Sequence, residues 1–285
     1  MPAATTREIV DEARQAGTGV GAFNVITLEH AEAIVTAAER AGRPVILQLS
    51  QNAVRFHHGR LQPVAAAMAR VADAAAVPVS LHLDHIDDED LLHQAPGAGF
   101  SSVMFDASTR PYADNVRATR TATEWAHRQG LWAEAELGEV GGKDGAHAPG
   151  VRTDPGEAAD YVAATGVDGL AVAVGSSHAM TSRTAVLDLQ LVAALRRAVP
   201  VPLVLHGSSG VPDDQLRAAV RRGIVKVNIG TALNVAYTGA VREILAQPGH
   251  PTDPRTYLRA ARDAVTGTAV HLIEVLAGDM RQPGS

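Results

Sequence analysis

Eight short apolar runs alternate with alanine-rich helical stretches along the chain, and this alternation constrains the fold more than any other feature. The runs are "GVGAFNV" (19–25), "PVILQLS" (44–50), "PVSLHLD" (78–84), "SSVMFD" (101–106), "LWAEAEL" (131–137), "GLAVAV" (169–174), "VPLVLHG" (201–207) and "IVKVNI" (224–229). Nearly continuous hydrophobicity is the pattern of parallel strands covered on both faces. Proline at the edge of three of the runs costs no ladder donor. Eight such units in 285 residues predict an α/β fold, a (β/α)8 TIM barrel filling a single domain over 1–285. Functional groups then belong on the loops after the C-terminal strand ends.

The intervening stretches carry helix signals. "TLEHAEAIVTAAERAG" (27–42) and "DDQLRAAVRRG" (213–223) have acidic starts and a glycine stop. The N-terminal "MPAATTREIVDEARQAG" reads as an amphipathic helix, and "TDPRTYLRAARDAVTGTAVHLIEVLAG" (252–278) as a C-terminal helical extension that closes the barrel bottom or pairs with another subunit. The longest irregular stretch, 138–156, follows the fifth run and is glycine-rich, as binding loops and lids are.

Charge and composition narrow the function. Twenty-five lysines and arginines against 31 acids give a net charge of -6, with the signs interleaved, which argues against a nucleic-acid surface. No apolar run approaches a membrane span, so a cytoplasmic protein is expected. The absence of cysteine removes disulfides and thiolate zinc, so any transition metal must be held by nitrogen and oxygen donors.

Histidine stands at three strand ends: "HLDH" (82–85), "GSSH" (175–178) and "HGSSG" (206–210). Barrel closure brings such ends together, and three imidazoles, His85, His178 and His206, with one open position describe a catalytic zinc. The strand period of two points His82 and Asp84 to one face, while His85 lies one residue later, where the chain turns into the loop. His82 is then a supporting residue. Asp84, beside a dication, is expected to be ionised, and serves either as general base or as an orienting partner of His85. Small residues after the last two runs (Gly207, Ser208, Ser209, Gly210, Gly230 and Thr231) suit a phosphate, which this barrel usually binds there. Glu134, Glu136 and Asp106 need cationic partners or a metal nearby, and either support the metal ligands, form an alternative metal position, or make a polar layer bridged by lysine, arginine or water.

The motifs "GAFNV", "LHLDH", "SVMFDAS", "AEAELGEVGG", "LAVAVGSSH", "LVLHGSSG", "KVNIGT" and "DPRTYL" together resemble the class II, zinc-dependent fructose/tagatose-bisphosphate aldolases, closest to the tagatose-bisphosphate branch, over nearly the whole chain. The resemblance implies that Asp84 is the catalytic acid/base and that His85, His178 and His206 are zinc ligands. It also implies that Gly207, Ser208 and Ser209 with Asn228, Ile229, Gly230 and Thr231 bind the dihydroxyacetone phosphate half, and that Asn24 and Ser50 contact substrate. A monovalent cation (Na+ or K+) near the phosphate, a small-molecule sugar phosphate as substrate, and a homodimer or homotetramer are further implications.

Three positions depart from the family pattern. The loop after "GG" reads Gly142-Lys143-Asp144-Gly145, so the catalytic glutamate expected there is Asp144, one methylene shorter. Ala179 replaces a glycine, and Ala232 an acid. Lys226 on the eighth run is the rival nucleophile for a Schiff base. The readings left open are an aldolase for a nonstandard phosphorylated deoxy sugar or keto acid, a metal-dependent hydrolase, and a degenerate sugar-phosphate-binding protein.

Overall fold

The computed structural model describes residues 4–137, 152–176, 181–248 and 252–278. These residues build eight parallel strands, β1 (Val20–Asn24), β2 (Val45–Ser50), β3 (Val79–Ile86), β4 (Ser102–Phe105), β5 (Trp132–Glu136), β6 (Gly169–Ala171), β7 (Leu203–Leu205) and β8 (Ile224–Ile229). The strands close in sequential order, with β8 returning to β1, so the expected (β/α)8 barrel is formed. The helices are α1 (Thr6–Ala16), α2 (Leu28–Ala41), α3 (Gln51–Phe56), α4 (Leu61–Ala74), α5 (Glu89–Gln94), α6 (Tyr112–Arg128), α7 (Pro155–Thr165), α8 (Leu189–Ala198), α9 (Asp213–Arg222), α10 (Thr231–Leu245) and α11 (Pro254–Ala277). Both helices with acidic starts and glycine stops form as read. Gly42 ends α2 in the left-handed region, at φ 62, where only glycine is unstrained.

The main core lies between the strands and the helical ring, while the barrel interior holds a second, smaller apolar cluster. That interior cluster corrects one expectation. The bottom is closed by the N-terminal α1, not by the C-terminal extension. Ile9, Val10 and Ala13 of α1 pack against Val20, Ile46, Trp132 and Val225, near the N-terminal ends of their strands. The Thr6 hydroxyl donates to Ser80 Oγ at 3.0 Å and also hydrogen-bonds the Ser102 hydroxyl at 2.6 Å. Both helices are amphipathic, so pattern alone did not separate them. The deciding factor is the short link after α1, Gly17–Gly19, which holds it under the start of β1. The extension α11 packs on α2 and α10 at the side of the barrel, and its Leu276 carbonyl accepts from the Gly19 amide at 2.9 Å.

Interior volume is matched across neighbouring strands. Trp132 fills the barrel beside Gly169, where an added Cβ would stand 2.5 Å from the indole ring. Any side chain at 169 would displace the indole from its packing.

A buried histidine on α2 makes stability depend on pH. His30 stacks on Tyr237 (ring centroids 4.8 Å), and its Nδ1 lies 3.1 Å from the Thr27 hydroxyl. Burial pushes His30 down to about 4, against the weaker opposing charge of Glu29. The unfolded chain, whose histidine titrates near 6.5, therefore takes the proton more readily. The stabilisation is complete above about pH 6.5 and is lost as pH falls towards 4, on the order of 3 kcal/mol at the limit. Urea unfolding of the wild type and of His30→Gln between pH 7 and 4.5 should show a flatter acid limb in the variant. Parallel limbs would disprove it.

Candidate active site

The end of β3 carries the residues with the strongest chemistry. Asp84, buried, faces the same side as His82, whose Nε2 is 3.8 Å from Asp84 Oδ1. His85 does not follow the regular alternation. The pairing of β3 with β4 shifts register between Leu83 and Ile86, and His85 has φ 49, left-handed for a non-glycine residue. The strand runs on through Ile86, so His85 sits in a bulge within it and not at the start of the loop. The bulge brings the imidazole to lie edge-on to His206 (ring centroids 4.9 Å), and its Nδ1 hydrogen-bonds Asp106 Oδ2 at 2.8 Å.

The charges at this strand end are coupled. Burial favours a neutral His85, but Asp84 and the hydrogen-bonded Asp106 outweigh it and push the imidazole up to about 10. Burial likewise opposes ionisation of Asp106, yet its bonds to His85 and Ser108 hold the carboxyl well below the usual carboxylate range. Asp84 shifts in the opposite direction. Burial pushes its carboxyl up, against the pull of His85 and Lys226. His82 is neutral, because burial, reinforced by Lys226, drives it well below its ordinary value. Its Nδ1 lies 2.8 Å from Ser102 Oγ, in the supporting position expected for it.

The two glutamates of β5 divide between two roles, although the sequence places them on one face. Glu134 is fully buried, and its Oε2 pairs with Lys226 Nζ at 2.8 Å. Its other oxygen is 3.0 Å from His206 Nε2, which also lies 3.0 Å from the Asn228 side-chain nitrogen, while His206 Nδ1 faces Glu136 Oε2, 3.5 Å away. Lys226 also donates to Asn228 Oδ1 at 2.7 Å. The buried amine is thus engaged in this layer and does not line the cavity above it, which argues against a Schiff-base role.

Glu136, one turn of the pleat higher, joins His85 and His206. One donor atom from each lies within 4.8 Å of the other two. Two imidazoles and a carboxylate, buried or partly buried and free of sulfur, fit a borderline metal such as zinc. His85 would have to lose its second proton on binding an ion. The sequence-predicted His178 lies outside the described residues, as do Asp144, Lys143 and Ala179.

Above this floor opens a cavity of about 570 Å³. Of the sequence-predicted residues, Asn24, Ser50, Asp84, His85, Gly207, Ser208, Ser209, Asn228, Gly230 and Thr231 line it. Ile229 does not. Its side chain is buried in the main core. Gly207 (φ 64) starts a single 3-10 turn, Ser208–Gly210, and the Ser208 hydroxyl donates to the Asn228 carbonyl at 2.6 Å, tying the β7 and β8 loops together. Ser209 Oγ accepts from the Ala232 amide at 3.0 Å, at the start of α10. Ser50 caps α3 by accepting from the Ala53 amide at 3.2 Å.

The sequence reading missed Gln48. Its side-chain amide donates to Asn24 Oδ1 and reaches Asp84 Oδ2 at 3.4 Å. The signal was present, since Gln48 precedes Ser50 by one strand period. Gln51, Asn52, Arg55 and Asp87, on the rim above β2 and β3, were also missed.

Comparison with known proteins agrees with this geometry. The family model described as "Fructose-bisphosphate aldolase class-II" matches residues 4–280. A fructose-bisphosphate aldolase from Geobacillus stearothermophilus is 38% identical over 288 residues, covering 100% of this chain and 98% of the relative. Among solved structures, the YdjI aldolase from Escherichia coli K12 is 34% identical with a TM-score of 0.83, over 97% of this chain and 98% of that one. The fructose-bisphosphate aldolase of Campylobacter jejuni is 25% identical with a TM-score of 0.81, over 95% and 93%. With a barrel of the same topology and a cavity floored by histidines and carboxylates at the C-terminal strand ends, the chain belongs to the class II fructose-bisphosphate aldolase family and is an aldehyde-lyase.

Proposed function

We propose that the protein is a zinc-dependent aldolase that reversibly cleaves a phosphorylated ketose, of the fructose or tagatose 1,6-bisphosphate type, to dihydroxyacetone phosphate and an aldehyde. The observation that carries this reading is the convergence of His85, Glu136 and His206 beside the buried carboxylate of Asp84 on one cavity floor. Zinc would be held by His85, His206 and His178, with Glu136 close enough to share it. When bound, it supplies Lewis-acid stabilisation of the negative charge that develops on the ketone oxygen as the bond breaks.

The remaining work falls to the chain. The phosphate of the dihydroxyacetone half is bound by the small residues Gly207, Ser208 and Ser209 and by Asn228 to Thr231, accompanied by a monovalent cation, Na+ or K+. Asn24 and Ser50 hold the substrate's hydroxyls. Asp84 removes the proton from the hydroxyl on the carbon that becomes the aldehyde, and returns it in the reverse direction. Asp144 exchanges the proton beside the ketone. The whole chain works as one unit, in a cytoplasmic homodimer or homotetramer.

Metal removal tests the reading. Chelation and dialysis should abolish formation of triose phosphate from fructose or tagatose 1,6-bisphosphate, and zinc should restore it. Activity that survives chelation, with substrate trapped covalently by borohydride, would overturn it in favour of an amine nucleophile.

A further inference from the structure

The cavity is acidic. Asp84, Asp87, Asp106 and Glu136 line it, and among its described lining residues Arg55 is the only arginine or lysine. Arg55 lies on α3, five residues past Ser50, and Ser50 pairs with Asp84 across the β2–β3 ladder. The rim formed by Arg55 and Asp87 thus stands over the Ser50–Asp84 pair, on a different side of the barrel from the loops of β7 and β8.

Resting on the aldolase reading, this placement orients the substrate. One phosphate sits on the β7 and β8 loops, the bond breaks beside Asp84, and the carbon chain beyond it runs towards the rim above β2 and β3. We propose that Arg55 is a specificity-determining residue, which selects an aldehyde half ending in an anion, a phosphate or a carboxylate.

The arginine is available for that work. Its pairing with Asp87 is loose, 3.6 Å between groups that are 63% and 62% exposed, and exposed pairs of this kind contribute little. Asp87 does not depend on it. The Gln51 side-chain amide donates to Asp87 Oδ1, and the Asp87 backbone amide donates to Gln51 Oε1 at 3.0 Å. Arg55 Nη1 also donates to Asn52 Oδ1, at a long 3.3 Å. A ligand anion can therefore draw the guanidinium, with its bidentate fork, at small cost. Without it, the same anion would meet Asp87 unscreened.

The test runs the zinc-loaded enzyme in the condensation direction, with saturating dihydroxyacetone phosphate and three aldehydes: glyceraldehyde 3-phosphate, succinic semialdehyde and neutral glyceraldehyde. Wild type should prefer an anionic aldehyde over glyceraldehyde. In Arg55→Gln that ratio of kcat/KM should fall about tenfold or more, through KM of the anionic aldehyde, and Arg55→Lys should recover part of it. Comparison of the phosphate and the carboxylate identifies which anion is read. An unchanged ratio in Arg55→Gln, or no anion preference in wild type, would overturn the proposal. If no aldehyde reacts, the aldolase reading falls, and calorimetry decides on Arg55: 3-phosphoglycerate added to the dihydroxyacetone phosphate complex should bind Arg55→Gln about tenfold more weakly, and equal binding overturns the assignment.

Discussion

Asp84→Ala should retain the metal while losing carbon–carbon cleavage by on the order of a thousandfold, the scale of a positioned general base. The geometry separates the two functions. Among the described residues the side chains that could hold a metal are His85, Glu136 and His206, and Asp84 is not among them. Its carboxyl is reached by Gln48 and Asn228 only at 3.4 Å, so removing it leaves no strong hydrogen bond broken. Metal content by elemental analysis, with kcat on a ketose bisphosphate, separates a lost base from a lost ion. Turnover near that of wild type would remove Asp84 from the mechanism, and a metal-free variant would move it into the metal shell.

The second large effect is on stability. Lys226→Met should destabilise the protein by about 3–5 kcal/mol, because it leaves Glu134 charged in the barrel interior with only the imidazoles of His206 and His82 near it among the described residues. Methionine conserves most of the volume, so the loss reports charge and not a void. In Lys226→Met with Glu134→Gln the buried charge is gone, and most of the loss should be regained as a non-additive term in urea unfolding. A single variant within about 1 kcal/mol of wild type would mean that the pair is solvated in solution.

Much of this was legible because parallel strands buried on both faces write themselves as unbroken apolar runs. All eight such runs contain a strand. Positions at their C-terminal ends were legible for the same reason, and so Asp84 and the β7 and β8 loops line one cavity, with His206 beside His85. Other features depend on information that no local pattern holds. Glu134 and Glu136 share a strand face, and only the height of Lys226 on β8 decides which is neutralised and which is left to the metal donors. A left-handed histidine carries no composition signal, since glycine or asparagine is the usual occupant, so the bulge at His85 was invisible. Arg55 was overlooked because α3 is a short helix whose rim position appears only once β2 and β3 are paired.

The bulge at His85 also bears on how such an enzyme can change. In a regular strand two consecutive side chains diverge, and a base and a metal ligand facing one reacting group would have to come from separate elements whose spacing drifts with every packing change. Here a single peptide unit joins Asp84 to His85, so backbone geometry sets their separation. In the mechanism proposed above, rim residues such as Arg55 and the loops beyond it can therefore be exchanged for new aldehydes without retuning the distance between base and metal ligand.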